Sequence, residues 1–346
     1  MITIPGLVDF RTHVDTAGEN WGSTSAAALA GGFTTIVADG AGQTPVTSDV
    51  TLNQSLSQAA ASSKCDFAQL ALATGENARE LTNLFPDAAG ICLYAENTAH
   101  PDLAITNMHQ TNRIFSDYQP DKPILVYGSS QQIGAAIFSA GMHHKKIHIC
   151  DVRTWDQLEV ILEARNSGMQ VTCDVSATTL FLSQKHIASA PLQVRAMLPQ
   201  LGSEDDRLAI WHHLDAIDCF ATGHHPQPEG TGSGFPALET AVRLYFYAIE
   251  GGFLTVEDVL TRCYSNPMRI FNLNPQPDTF VEIDPDLRAK IDSAAFHSVT
   301  KRSPFAGLEF PGIIQKVTLR GTVVYEHNNV LAPDGSGQSA LKLRPE

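Results

Sequence analysis

Pro5-Gly6-Leu7-Val8-Asp9-Phe10-Arg11-Thr12-His13-Val14 is the stretch on which the reading of this chain turns. Its apolar centre marks a buried strand, and the strand closes on two side chains of opposite chemistry. His13 offers a neutral ring nitrogen of the kind that binds zinc. Arg11, two residues earlier, has no lone pair to give and carries a fixed positive charge. A cation bound beside His13 would therefore meet a second cation.

Working outward, seven further apolar runs resemble the first. The eight strand candidates cover residues 7–14, 34–39, 66–73, 90–95, 123–128, 146–152, 170–176 and 219–223. Most carry consecutive rather than alternating hydrophobic residues, as parallel strands buried on both faces do. Helical patterns over 23–30, 129–140, 154–166 and 205–214 lie between them, the first ending at Gly31-Gly32. Eight strand–helix units over about 250 residues predict a (β/α)8 barrel of the α/β class. Further helices are expected at 237–250 and 256–264, with Asn266-Pro267 closing the latter.

From about Asn272 the pattern changes, broken by Pro275, Pro277, Pro285, Pro304 and Pro311. Two strand-like pieces, 279–283 and 316–324, and a turn at Asn328-Asn329 predict a small β appendage. The segment 332–346 reads as a linker-like tail. The expected organisation is a barrel over residues 1–271 and a C-terminal extension over 272–346.

Composition narrows the function classes. A chain of 346 residues with 43% hydrophobic and 17% charged residues can bury a large core and is not disordered. A net charge of −14 argues against nucleic acid and anionic membrane as partners. No signal-peptide pattern opens the chain, and no run approaches the roughly 20 apolar residues of a membrane span. Cys65, Cys92, Cys150, Cys173, Cys219 and Cys263 are widely spaced without CxxC, which predicts buried reduced thiols and a cytoplasmic setting. Gly40-Ala41-Gly42 lacks the spacing of a dinucleotide loop. His143-His144 and His224-His225 read as surface or loop pairs, His148 as a hydrogen-bonded core residue, and Asp9 as a structural residue of the first strand. Trp21, Trp155 and Trp211 are too scattered for a recognition face and read as packing residues.

A resemblance to one family runs almost end to end. It is carried by Pro5-Gly6-Leu7-Val8-Asp9, Ala26-Ala27-Ala28-Leu29-Ala30-Gly31-Gly32, Cys65-Asp66-Phe67-Ala68 and His148-Ile149-Cys150. Val171-Thr172-Cys173, Leu201-Gly202-Ser203, Ile217-Asp218-Cys219-Phe220-Ala221, Gly234-Phe235-Pro236 and Arg269-Ile270-Phe271 continue it. The chain resembles dihydroorotase of the amidohydrolase superfamily, above all the dihydroorotase region of multifunctional pyrimidine-synthesis proteins. That resemblance implies an active site at the C-terminal ends of the barrel strands. Two zinc ions would be held there by a first-strand His-x-His, a carboxylated lysine, two more histidines and an aspartate that is also the base.

Carried over position by position, the implied site is dismantled. The first histidine is Arg11, and only His13 survives. Cys92 stands for the bridging lysine, Tyr127 and Asp151 for the two later histidines, and Gly223 for the aspartate. Asp15 replaces a substrate-binding arginine, and Ala41 falls near a substrate-binding asparagine. The segment after Gln227 is shorter than the family's substrate-covering loop. Without the lysine there is no carbamate bridge, and without the aspartate no base reaches the bridging water. His13, Cys92 and Asp151 would make a different zinc set, but Arg11 among them argues against it. Pairing of Arg11 with Asp151 or another local carboxylate is expected instead.

The resemblance thus implies a pseudoenzyme that binds neither metal nor cofactor, of the kind carried by fungal multifunctional proteins. It would act as a scaffold between carbamoyl phosphate synthetase and aspartate transcarbamylase domains of one polypeptide, with a homodimer contact as a further expectation. The rival reading is an amidohydrolase with single-metal or metal-free chemistry on another cyclic amide. A third is a stand-alone chain that assembles with a separate aspartate transcarbamylase.

Overall fold

The computed structural model describes residues 1–78, 80–81, 87–95, 103–196, 198–227 and 234–341. After a short strand β1 (Ile2–Pro5), the barrel begins with β2 (Leu7–Thr12), β3 (Phe33–Ala38) and β4 (Asp66–Gln69). It continues through β5 (Ala71–Leu72), β6 (Ile91–Tyr94), β7 (Ile124–Tyr127), β8 (Ile147–Ile149), β9 (Val171–Ser176) and β10 (Cys219–Ala221). All pairings within these two runs are parallel. The expected strand over 66–73 is split at Leu70: β4 pairs with β3 and β5 with β6, so the two pieces share one barrel position. The ring closes where the loop after β10 meets the end of β2, with His13 N–H donating to the His224 carbonyl at 3.0 Å. The result is the α/β barrel that the apolar runs predict.

Helices start where short polar side chains satisfy the free N–H groups of the first turn. Asn20, Ser48, Thr154 and Ser203 each accept from the residue three further on, opening Trp21–Ala30, Asp49–Ser62, Trp155–Asn166 and Glu204–His212. Their buried faces join the strands' outer faces in one core that includes Leu29, Ile36, Phe115, Ile133, Leu158 and Phe220. A second core fills the barrel itself with Val8, Phe10, Val37, Leu70, Cys92 and Leu125, and Phe271, Leu273 and Ala340 pack onto it.

Several sequence expectations need correction. Asn266-Pro267 does not end a helix. Val256–Leu260 runs through a π-turn, Thr261–Ser265, into Asn266–Ile270, where Pro267 occupies the first turn and needs no N–H partner. The expected strand 316–324 is a hairpin of β14 (Ile313–Leu319) and β15 (Thr322–Glu326), turning at Arg320 (φ 48°) and Gly321 (φ 75°). The next turn centres on His327 and Asn328, one residue early, and Asn329 opens β16 (Asn329–Val330).

With β11 (Phe280–Asp284) these strands build the small sheet, in the order β1-β11-β14-β15-β16, while β12 (Ala289–Lys290) and β13 (Glu309–Phe310) pair with each other. The small sheet's first strand comes from the N-terminus, so the appendage draws on both ends of the chain. Nor is 332–341 a free tail. Phe67 N–H donates to the Gln338 carbonyl (2.9 Å), Ala340 N–H to the Phe67 carbonyl (2.8 Å) and Gly337 N–H to the Ser63 carbonyl (2.9 Å). Arg320 clamps Asp66 with two contacts of 2.6 Å. The hydrophobic pattern missed this segment because backbone bonds, not apolar periodicity, hold it.

Candidate functional site

The C-terminal ends of the strands carry the site, and a register shift in β2 sets it up. Pairing with β3 slips between Asp9 and Thr12, which re-aims Arg11. Asp9 latches the first strand to the last, accepting from Thr222 N–H (2.7 Å), Thr222 Oγ1 (3.0 Å) and the Thr12 hydroxyl. That is a structural role, as expected.

Arg11 is the centre of an ion-pair group. Its Nη2 donates to Asp151 Oδ1 at 3.1 Å and lies 3.3 Å from Asp174 Oδ1. Arg153 grips Asp151 from the other side through Nε (2.7 Å) and Nη2, and donates from Nη1 to the Gln200 carbonyl at 3.0 Å. Asp151 adopts φ 57°, and its N–H reaches Asp174 Oδ1 at 3.2 Å. His148 is bracketed by Asp174 Oδ2 (3.2 Å) and Thr172 Oγ1 (2.9 Å), a satisfied core position. Burial alone would raise the Asp151 carboxyl, but Arg11 and Arg153 outweigh it and hold the group well below the usual carboxylate range. Gly223 (φ 71°) sits against this group: a β-carbon there would lie 3.8 Å from Arg11 Nη2.

A second group gathers on Asp39. Its Oδ2 accepts from Tyr94 (2.6 Å) and Tyr127 (3.0 Å), whose rings stack 4.2 Å apart, and Cys92 Sγ lies 3.9 Å away. Ala41 N–H donates to Oδ1 at 2.7 Å. Burial first and Asp39 second push the Cys92 thiol and both phenols well up, so none is a poised nucleophile.

His13 stacks on His225, centroids 4.1 Å apart. The pair His224-His225 lies in the loop after β10, one of the two expected settings, but not on the open surface: His225 is half-buried. The His224 ring is buried, and its Nδ1 accepts from Ala237 N–H (3.2 Å) and Leu238 N–H (3.4 Å), capping Leu238–Glu250. His225 meets the Gln227 amide through Nε2 at 2.7 Å. Burial pushes all three histidines down to about 3, with Arg11 adding to the effect on His13. Asp15 lies outside these groups, its Oδ2 accepting Thr44 N–H at 2.8 Å. The loop segment 228–233 lies outside the described residues, so the expected shortening after Gln227 stands only as a sequence reading.

These residues do not fit the two zinc ions that the resemblance implies. Arg11 points a guanidinium at the two carboxylates that a metal would need, and it cannot ligate. Among the described residues the convergent set of potential ligands is His148, Cys150 and Asp174, not His13, Cys92 and Asp151. That set is also poor, since His148 and Arg11 already engage Asp174. The charges balance without an ion: Arg11 and Arg153 against Asp151 and Asp174. The carboxylates of Asp39, Asp151 and Asp174 each accept from two or more donors already in place.

Sequence reasoning missed Asp174, Arg153, Asp39 and Tyr94. One signal could have found Asp174, a charged residue inside an otherwise apolar strand, which demands a buried partner. Asp39 likewise ends an apolar strand.

The chain is 33% identical over 98% of its length to the multifunctional protein CAD of Squalus acanthias, and it spans 16% of that relative. It is 28% identical to the dihydroorotase of Pyrococcus abyssi, covering 95% of this chain and 85% of that protein. Among solved structures, the inactive dihydroorotase-like domain of the Chaetomium thermophilum CAD-like multifunctional protein superposes with TM-score 0.84 at 25% identity, covering 98% of each chain. L-hydantoinase from Arthrobacter aurescens matches the fold with TM-score 0.91 at 21% identity, over 99% of this chain and 89% of that one. No protein-family model matches the chain.

Proposed function

We propose, from the premise that this chain is a homologue of the dihydroorotase-like region of multifunctional pyrimidine proteins, that its contribution is structural and not catalytic. The observation that carries this reading is the Arg11 guanidinium between Asp151 and Asp174. It supplies in one side chain the positive charge that those carboxylates need. The degenerate positions Arg11, His13, Asp15, Ala41, Cys92, Tyr127, Asp151 and Gly223 are then read as a retired site whose volume serves the fold. This is possible because function lives in sites placed on folds.

In this reading the domain acts in the cytoplasm as a scaffold between carbamoyl phosphate synthetase and aspartate transcarbamylase domains of one polypeptide, with a dimer contact of its own. The division proposed is a barrel unit within 1–271 and a C-terminal extension from 272 on, with Ile2–Pro5 crossing over to the extension's small sheet. Metal analysis of the purified protein, with a dihydroorotate assay in both directions, tests the inactive reading. Less than a tenth of an equivalent of zinc and no turnover above background are expected. One observation favours the rival, an amidohydrolase of altered single-metal chemistry: His148, Cys150 and Asp174 do converge. Stoichiometric zinc that is lost in Cys150→Ser would establish that rival and overturn the structural reading.

A further inference from the structure

On the outer side of the barrel, three helical pieces bring a chain of aromatic rings to the surface. The Phe181 ring, at the end of Ala177–Phe181, lies 6.0 Å from Trp211 and 6.4 Å from Tyr247. Trp211, near the end of Glu204–His212, lies 5.8 Å from Phe253. Phe181 and Trp211 are half-buried, whereas Tyr247 is 44% and Phe253 70% exposed. Leu208, one turn before Trp211, is 43% exposed. Apolar side chains that touch one another at a surface mark an interaction site, as singly scattered ones do not.

The backbone holds this face in place. Trp211 Nε1 donates to the Leu180 carbonyl at 2.7 Å. The helix Leu238–Glu250 stops at Gly251-Gly252, where Gly252 takes φ 74°, and Phe253 N–H returns to the Ala248 carbonyl at 2.9 Å. A closed helix cap therefore presents the Phe253 ring. It stands about 20 Å along that helix from the barrel mouth, where His224 caps the first turn.

The rim is acidic. Asp205 stands three residues before Leu208, Asp215 four after Trp211, Glu250 three after Tyr247 and Glu257 four after Phe253. All four are exposed. Arg288 binds Glu250 at 2.7 Å, but among the described residues no cation pairs with Asp205, Asp215 or Glu257. The neighbouring Arg207 and Arg262 are already engaged by Glu204 and Asp258. His212 is exposed on the same stretch, and His213 stacks on Trp155 at 4.8 Å.

We propose that this face docks a basic amphipathic helix of another polypeptide unit. Apolar side chains of that helix would lie on Trp211, Tyr247 and Phe253, and its Lys or Arg residues would meet Asp205, Asp215 and Glu257. A second copy of this chain is the poorer occupant. A two-fold contact would set the same unpaired carboxylates against each other, in a chain of net charge −14. The face is remote from the mouth, so the inference holds whether or not the mouth has chemistry.

Fluorescence anisotropy with two labelled synthetic helices of about five turns tests the proposal. One carries leucines on one face and lysines on the other, and its twin has glutamate for every lysine. The lysine helix is expected to bind saturably, and the glutamate helix about tenfold more weakly or worse. Phe253→Ser, whose outward side chain leaves the denaturation midpoint unchanged, should weaken the lysine helix by about tenfold or more, and Trp211→Phe should weaken it less. Asp205→Asn with Glu257→Gln should also weaken it and flatten its loss of affinity between about 0.05 and about 0.3 M salt. No saturable binding, equal affinity for the two helices, or full affinity in Phe253→Ser would overturn the proposal. So would a dimer in sedimentation velocity that Phe253→Ser abolishes, since that result gives the face to a second copy.

Discussion

Arg11 shows how one buried cation can balance the charge of a barrel mouth. Removing it would leave Asp151 and Asp174 facing each other across a buried gap. Arg11→Met is therefore expected to destabilise the fold by about 3–5 kcal/mol, read as a shifted denaturation midpoint. Asp151→Asn keeps a residue that tolerates φ 57° but strips the charge that two arginines share, and it should cost less. Linkage has a definite sign here, because the Asp151 carboxyl is held below its ordinary 3.8. Its contribution is present above pH 3.8 and is lost as pH falls below that value. At this scale the sequence was partly legible. The cation at Arg11 can be read from the strand end, and its expected partner, Asp151 or another local carboxylate, proves to be Asp151 together with Asp174. That Asp174 and Asp39 are buried charges can be read from their apolar strands, but their partners, and the part played by Arg153, cannot, because those depend on strands far apart in the chain.

Elements were legible where hydrophobic pattern decides them. All eight barrel positions were found, with boundaries shifted by a few residues because strand ends are set by pairing and not by composition. Elements held by backbone bonds or turn chemistry were misread: the hairpin at Arg320-Gly321, the turn at His327-Asn328 and the segment 332–341. That last segment offers a sharp test. A β-carbon on Gly337 would lie 2.0 Å from the Cys65 carbonyl oxygen and 3.1 Å from that of Ser63, both backbone atoms that cannot step aside. Gly337→Ala should cost roughly 1–3 kcal/mol and raise exchange at Phe67 and Ala340. A truncation after Ala332 should destabilise at least as much, measured by the same denaturation curve, because it also uncovers the Leu273 side of the barrel core.

For the whole molecule, three histidines set the acid limit. The His224 ring is buried, carries a capping role and does not take a proton until about 3, whereas an unfolded histidine does so near 6.5. His13 and His225 behave alike but keep more exposure, so their share is smaller. The unfolded state binds more protons between those values, so stability falls as pH drops below 6.5. Each histidine contributes a slope of at most about 1.4 kcal/mol per pH unit. Urea midpoints should decline from pH 6.5 to pH 4.5, and less steeply in His224→Gln. The small sheet adds a mechanical consequence. Its edge strand, Ile2–Pro5, has β11 as its sole partner in that sheet, and a single residue, Gly6, separates it from the barrel. Tension applied at Met1 would peel away this four-residue ribbon first, so the molecule carries a weak link in series with its barrel, and an optical-tweezers trace should record a small early step before the main rupture.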